Sequence, residues 1–212
     1  MIVTTQSSLQ SALDALSFPG IMIGHRLILE GDERALMPQE ACAFASSVVK
    51  VRRASGAARI VARQLLARLG HVGCALPKAS SGAPIWPPGV TGSLAHDDKV
   101  AVAAVAIQRD IHALGIDVEP AEPLPDDLLD LVATPQERST LESDPYRGRL
   151  LFVAKEAVYK ALYPLDQTFL DHQDVQIDLA DRKALVRNGR IVDIRFCIAA
   201  HLVALAFLPA KS

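Results

Sequence analysis

Residues 115–120 read Gly-Ile-Asp-Val-Glu-Pro, and this stretch carries most of the information about fold and chemistry. Successive side chains of a strand point to opposite faces, so Asp117 and Glu119 share one face while Ile116 and Val118 share the other. Two carboxylates held this close repel each other, and a divalent cation such as magnesium, which prefers oxygen ligands, relieves the repulsion. Taken alone, the alternation more often marks a strand with its acids on the solvent side.

The segment from Arg149 to Pro164, RLLFVAKEAVYKALYP, predicts an amphipathic helix that Pro164 should end. At 100° per residue, Glu156 and Lys160 lie together on one arc. Five apolar side chains fall on the opposite arc and should pack inward, and three residues flank the polar pair. The inward set is Ala154, Ala157, Val158, Ala161 and Leu162, and the flanking set is Phe152, Lys155 and Tyr159. By itself, Glu followed four residues later by Lys is an ordinary helix-stabilising pair.

A long helix is also predicted upstream, from about residue 38 to residue 69. If this helix is regular, Arg52, Arg59 and Arg63 point within about 40° of one another. Clustered guanidinium groups suit phosphate recognition through bidentate hydrogen bonds. The alternative is a solvated basic face with no ligand.

The remaining segments predict strands separated by turns. They are IMIGHRLILE, VTGSLAH, VAVAAVAI, DVQIDL, KALVRNGRIVDIRFCIAA and HLVALAFLP, with Asn188-Gly189 as a hairpin turn. We therefore predict an α+β fold with two similar-sized lobes related by pseudo-twofold symmetry, each a mainly antiparallel sheet with a packed helix. The expected lobes are residues 1–112 and 113–212.

Composition narrows the classes of partner. The 212 residues include 22 basic and 24 acidic side chains, for a net charge of −2, so no global basic field favours nucleic acid or anionic membrane. The N-terminus lacks the features of a signal peptide, and no apolar run reaches the roughly 20 residues of a membrane span. We expect a cytoplasmic protein. Three scattered cysteines, Cys42, Cys74 and Cys197, are expected to be buried thiols and not a disulfide framework or zinc site.

Together, the two central motifs closely resemble the 4'-phosphopantetheinyl transferase superfamily of the surfactin and enterobactin-synthase type. Its pattern is a G-[IV]-D-x-E strand followed by a [FW]-x-x-K-E-[AS]-x-x-K helix, and residues 115–119 and 152–160 match every defining position. The resemblance extends upstream to about Lys50 through a basic helix, a W-P loop and a G-S-[IL]-[ST]-H strand that ends at His96. Three positions depart from the family: Ala95 replaces a hydroxyl residue, Ala58 a glycine and Ala83 a lysine.

The resemblance implies transfer of the 4'-phosphopantetheine group from coenzyme A to a serine of an acyl or peptidyl carrier protein, with release of adenosine 3',5'-bisphosphate. Magnesium would be held by Asp117, Glu119 and Glu156, and Glu156 would be the general base. Lys160 would bind the phosphates as a further catalytic group. Coenzyme A would be bound by six side chains in total: Arg52, Arg59, Arg63, His96, Lys155 and Lys160. The N-terminal lobe would carry the basic helix and nucleotide-binding loop, and the C-terminal lobe the metal site.

The expected partners are thus an apo carrier protein and coenzyme A, with no nucleic acid and no membrane, and two fused lobes favour a monomer. Two other functions remain open. The same acids suit a magnesium-dependent phosphohydrolase or nuclease, although the near-neutral charge weakens the nucleic-acid version. A degenerate module that only binds coenzyme A or a carrier is favoured by Ala95 and opposed by the intact acids and Lys160.

Overall fold

A computed structural model of the chain describes residues 9–139, 141 and 144–210, and the structural statements below concern these residues. The helices are α1 over residues 9–14, α2 (Pro38–Ala41), α3 (Val49–Arg68), α4 (Asp126–Val132), α5 (Pro135–Ser139) and α6 (Arg147–Asp166). The strands are β1 (Ile21–Leu27), β2 (Val90–His96), β3 (Val100–Ile107), β4 (Ile111–Pro120), β5 (Val175–Asp178), β6 (Lys183–Val186), β7 (Ile191–Ile198) and β8 (His201–Pro209).

The strands form two antiparallel sheets. One has the order β1-β3-β2 and the other the order β4-β8-β7-β6-β5. The α+β class with two antiparallel sheets and packed helices is as predicted. The predicted hairpin turn at Asn188-Gly189 lies between β6 and β7.

The two sheets pack face to face, and α3 and α6 cover their outer faces. On β3, Val100 and Val102 enter the core shared by both sheets, whereas Ala103 and Val105 pack with residues of α3. The side chains of β8 alternate in the same way. Val203 faces the other sheet, whereas its neighbours Leu202 and Ala204 pack on the side of α6. These central strands are buried on both faces and therefore consist almost entirely of apolar residues.

Two helix boundaries differ from the predictions. The helix expected over residues 38–69 is interrupted: α2 ends at Ala41, a 3-10 turn covers Cys42–Phe44, and α3 begins only at Val49. The helix α6 continues through Pro164 to Asp166, because a proline lacks only one backbone donor and Gln167 N closes the last turn on Tyr163 O at 2.8 Å.

Gly115 brings β4 and α6 into close contact. A Cβ atom at this position would lie 2.0 Å from the carbonyl oxygen of Ala157, so only glycine fits. The close approach sets the distance between the strand that bears Asp117 and the helix that bears Glu156.

The cysteine prediction is partly wrong. All three are free thiols, and burial raises the pKa of Cys197 to about 11, but Cys42 is exposed and Cys74 is only partly buried. None of the helices described has the length and apolar composition needed to cross a membrane.

Candidate active site

Asp117 contacts Lys160 across the interface of β4 and α6. The Asp117 side chain is almost fully buried, and its Oδ1 atom accepts a hydrogen bond of 2.6 Å from Lys160 Nζ. Burial raises the pKa of Asp117, the Lys160 ammonium opposes that rise, and the negative charge of Glu156 adds to it. The strand alternation is as predicted, because Ile116 and Val118 lie in the core on the opposite face.

Glu119 contacts Arg149, a residue in the first turn of α6. Arg149 Nη1 lies 3.2 Å from Glu119 Oε2, and the same guanidinium group donates to the carbonyl oxygens of Glu122 and Pro123. Partial burial raises the pKa of Glu119, the neighbouring charge of Asp117 raises it further, and Arg149 opposes both effects. Arg149 therefore joins the acid strand to α6 and to the connection that follows the strand.

Glu156 contacts His172, which belongs to a short 3-10 helix (His172–Asp174) after α6. The distance from His172 Nε2 to Glu156 Oε1 is 3.1 Å. This hydrogen bond lowers the pKa of Glu156 more than partial burial raises it, and Lys160 lowers it further. The carboxylate of Glu156 is therefore held in its ionised form at neutral pH.

The expected convergence of three carboxylates is absent from this conformation. Across the described ranges, no group of three or more His, Cys, Asp or Glu side chains is arranged to hold a metal ion. Each of the three acids instead contacts a nitrogen base: Lys160, Arg149 or His172. The donor chemistry nevertheless suits a hard divalent cation, since all three are carboxylates and Asp117 lies close enough to Glu119 and Glu156 to share charge repulsion with each.

Lys155 does not take part in this polar cluster, so its predicted contact with phosphate is corrected. Its side chain is only 1% exposed, and its ammonium donates to Glu137 Oε2 (2.7 Å) and to the carbonyl oxygens of Val132 (2.7 Å) and His172 (2.9 Å). Burial lowers the pKa of Lys155, and Glu137 opposes the change. The long side chain reaches from the flank of α6 beneath the helix and joins α6 to α5.

The predicted binding of phosphate by the arginines of α3 is corrected in the same way. Arg63 Nη1 contacts the fully buried Glu40 at 2.8 Å, and Arg59 Nε lies 3.8 Å from the same carboxylate and donates to Leu76 O at 3.0 Å. Both guanidinium groups therefore neutralise an internal acid and are not available to phosphate as predicted. Arg52, one helical turn or more away, remains partly exposed.

His96 ends β2 and faces Lys160 across the two lobes. His96 as a whole is exposed, yet the protein around its ring lowers the pKa of His96 by removing water, and the positive charge of Lys160 lowers it further. A cleft begins beside Lys160 and is lined from both lobes. Its walls include Trp86, Thr91 and Ser93 from the first lobe and Tyr159, Lys160 and Tyr163 from the second.

Several side chains at the site were not predicted from the sequence. Arg149 precedes Glu156 by seven residues, which places the two on the same side of a helix, so the helical spacing contained a signal for Arg149. His172 and Glu137 lie in segments without a periodic pattern, and no signal in the sequence connected them with α6.

Comparisons with known proteins define the class. The family model described as the 4'-phosphopantetheinyl transferase N-terminal domain matches residues 38–106, and the model of the 4'-phosphopantetheinyl transferase superfamily matches residues 113–206. The chain belongs to the 4'-phosphopantetheinyl transferase superfamily.

Three characterised relatives support this membership. The 4'-phosphopantetheinyl transferase Npt of Nocardia iowensis is 44% identical over 157 residues, which cover 72% of this chain and 71% of the relative. Svp of Streptomyces mobaraensis is 42% identical, with coverages of 67% and 60%, and PptT of Mycobacterium tuberculosis is 37% identical, with coverages of 66% and 64%. The crystal structure of the Thermotoga maritima holo-[acyl-carrier-protein] synthase overlaps 48% of this chain and 65% of that one, at 20% identity and a TM-score of 0.38.

Proposed function

We propose that this chain transfers 4'-phosphopantetheine from coenzyme A to a serine of an acyl or peptidyl carrier protein. The observation that carries the proposal is the polar cluster of Asp117, Glu119, Glu156 and Lys160 beside a cleft between two lobes, in a member of this superfamily. Residues of both lobes line the cleft, so a single chain can supply the whole site. The lobes correspond to residues 1–112 and 113–212.

In the proposed reaction, the carrier serine hydroxyl attacks the β-phosphate of coenzyme A. The serine proton passes to Glu156, a new oxygen–phosphorus bond forms, and the pyrophosphate bond breaks to release adenosine 3',5'-bisphosphate. Glu156 is ionised at neutral pH, as a group must be before it can accept the serine proton. Lys160 has no need to be a proton donor, because its charge alone stabilises the anionic phosphates.

Magnesium is the metal that the carboxylates Asp117, Glu119 and Glu156 would hold, and when bound it would neutralise charge on the pyrophosphate oxygens. To hold a cation, Asp117 and Glu119 would have to give up their present contacts with Lys160 and Arg149, whereas Glu156 would bind through Oε2, the oxygen that His172 does not contact. Lys160, once free of Asp117, would contact the phosphates. Of the side chains predicted to bind the nucleotide of coenzyme A, His96 and Arg52 remain available. Arg59, Arg63 and Lys155 contact groups inside the protein instead.

The direct test is incubation with coenzyme A and a panel of apo carrier proteins, read by intact mass. We expect a phosphopantetheine adduct to form on at least one carrier. When EDTA removes divalent cations before the reaction, no adduct should form. E156Q should fold and lose transfer by orders of magnitude, whereas E30Q, which alters an exposed carboxylate outside the cleft, should keep normal transfer. Hydrolysis of coenzyme A without modification of any carrier would instead indicate a phosphohydrolase.

A further inference from the structure

His172 lies against the same face of α6 as the proposed base. Its ring stacks on Phe152, with ring centroids 5.4 Å apart and an angle of 25° between the planes. Phe152 and Glu156 are four residues apart and therefore adjacent on the helix surface. The imidazole thus covers one turn of α6 and ends beside the Glu156 carboxylate.

Only one oxygen of that carboxylate is bound by the ring. The contact joins His172 Nε2 and Glu156 Oε1 at 3.1 Å, and it is a hydrogen bond donated by Nε2–H to the ionised carboxylate. Within the part of the chain that the structure describes, the other oxygen, Oε2, has no hydrogen-bond partner. One oxygen is therefore held and the other is left for a substrate proton or a cation.

The position of the ring is itself determined by buried contacts. The carbonyl oxygen of His172 accepts a 2.9 Å hydrogen bond from the buried Lys155 ammonium, and Gln173 Nε2 donates to Leu131 O at 2.8 Å. Asp174 O accepts from Arg187 N at 2.8 Å, which attaches the 3-10 helix to the second sheet. Three consecutive residues are anchored, so the imidazole is presented to α6 from a rigid support.

We propose that His172 is a positioning residue that holds the Glu156 carboxylate in the orientation required for proton transfer. The proposal rests on the proposed function, in which Glu156 accepts the serine proton. A glutamate has several rotatable bonds, and fixing one of its oxygens removes rotamers in which the other cannot meet the hydroxyl. Lys155 contributes indirectly, because it fixes the backbone from which His172 extends.

The first test compares two substitutions at position 172. H172F keeps an aromatic ring on Phe152 and removes the donor, whereas H172Q keeps an N–H donor at a similar reach. Loss of a side chain that orients a catalytic group typically costs 10- to 100-fold in activity, so we expect kcat of H172F to fall on the order of 10- to 100-fold. The KM for coenzyme A should stay unchanged, H172Q should recover most of kcat, and H71F, a matched histidine change at the end of α3, should behave as the unmodified protein.

A double-substitution cycle separates positioning from general stability. In an E156Q background, H172F should cause no further loss of transfer, because the group that it positions is already inactive. The 15N chemical shifts of the His172 ring should also change on E156Q, in protein free of metal and coenzyme A. If H172F does not fold, H172N replaces it, since its shorter amide cannot reach Glu156.

The outcomes distinguish the proposed transferase function from the positioning role of His172. An inactive parent protein would overturn the proposed function itself. An active parent with a fully active H172F, or with equal losses from H172F in both backgrounds, would overturn the positioning role and leave the transferase function standing.

Discussion

His201 Nε2, at the first residue of β8 in the second sheet, lies 3.0 Å from Asp97 Oδ2, in the turn that follows His96. Both side chains are almost completely buried, and Asp97 Oδ1 also accepts hydrogen bonds of 2.6 Å from the backbone amides of Lys99 and Val100. One carboxylate therefore shapes the turn of the first lobe and joins it to the second. This contact keeps the strand of His96 in register with the lobe that carries Lys160.

The Asp97 contact predicts a pH-dependent stability. Burial acts to raise the pKa of Asp97, but the close contact with His201 and the hydrogen bonds from the two backbone amides outweigh it, so the folded pKa is lowered. A lowered folded pKa stabilises the protein above the unfolded value of about 3.9, and that stabilisation is lost as pH falls through the folded pKa.

D97N isolates this effect, because asparagine keeps the shape and an acceptor oxygen but not the charge. At pH 6 we expect D97N to lower the free energy of unfolding by about 1–3 kcal/mol, measured by urea denaturation. The difference from the unmodified protein should shrink below about pH 4. D98N, at the exposed neighbour, is the control, and a D97N difference that grows toward acid pH would contradict this account.

Lys155 and Lys160 should separate stability from activity. K155M removes the ammonium that is buried against Glu137 and should lower the free energy of unfolding by about 3–5 kcal/mol. K160M also removes the cation that contacts Asp117, but this pair is partly exposed to water, so we expect a smaller loss of stability while transfer falls on the order of 100-fold or more. Thermal unfolding and carrier labelling of both variants check the contrast. Similar melting temperatures for the two variants would refute the structural role of Lys155.

The arginines of α3 should divide into two groups. R63A removes the main partner of the buried Glu40 and should cost about 2–3 kcal/mol of stability, whereas R68A, at the exposed end of the same helix, should cost almost nothing. R52A should leave stability unchanged and raise the KM for coenzyme A by about 10-fold, the value of one hydrogen bond to a charged group. Chemical denaturation and steady-state kinetics measure the two effects. A stable R63A with a raised KM would restore Arg63 to the nucleotide site.

Gly115 should tolerate no side chain. G115A forces a Cβ atom to within 2.0 Å of Ala157 O, and the strand and helix must separate, at a cost of about 3 kcal/mol or more. G148A is a matched control within α6, because its Cβ would meet the flexible end of Leu129 at 3.0 Å and alanine favours helix, so we expect a change within about 1 kcal/mol. The melting temperatures of G115A and G148A compare the two sites. If both variants lose the same small amount of stability, the close packing at Gly115 is unimportant.

Periodicity predicted those parts of the site in which neighbours along the chain determine orientation. The faces of Asp117 and Glu119 follow from strand alternation, and the inward arc of α6, including Ala157 and Ala161, follows from helical spacing. In both cases the apolar residues decide which face is buried, so the sequence pattern contains the answer. The family motif could therefore be located on the correct elements before the fold was known.

Contacts between distant segments could not be predicted in this way. Helical spacing places Lys155 at the border between the polar and apolar faces of α6. Its ammonium turns inward because Glu137, 18 residues earlier, lies beneath the helix. Arg63 likewise has its partner outside its own helix, and its contact with Glu40 joins residues that are 23 positions apart in the sequence. A basic side chain near the edge of a polar face has two possible partners, an internal acid or an external anion, and local spacing does not distinguish them.

The missing side chain at Gly115 also limits how the enzyme can move. Where β4 and α6 touch through their main chains, they cannot slide or tilt independently without a steric clash, so Asp117 and Glu156 travel together as one rigid unit. Any opening that admits coenzyme A or releases its nucleotide must therefore occur at the seam between that unit and the strand bearing His96.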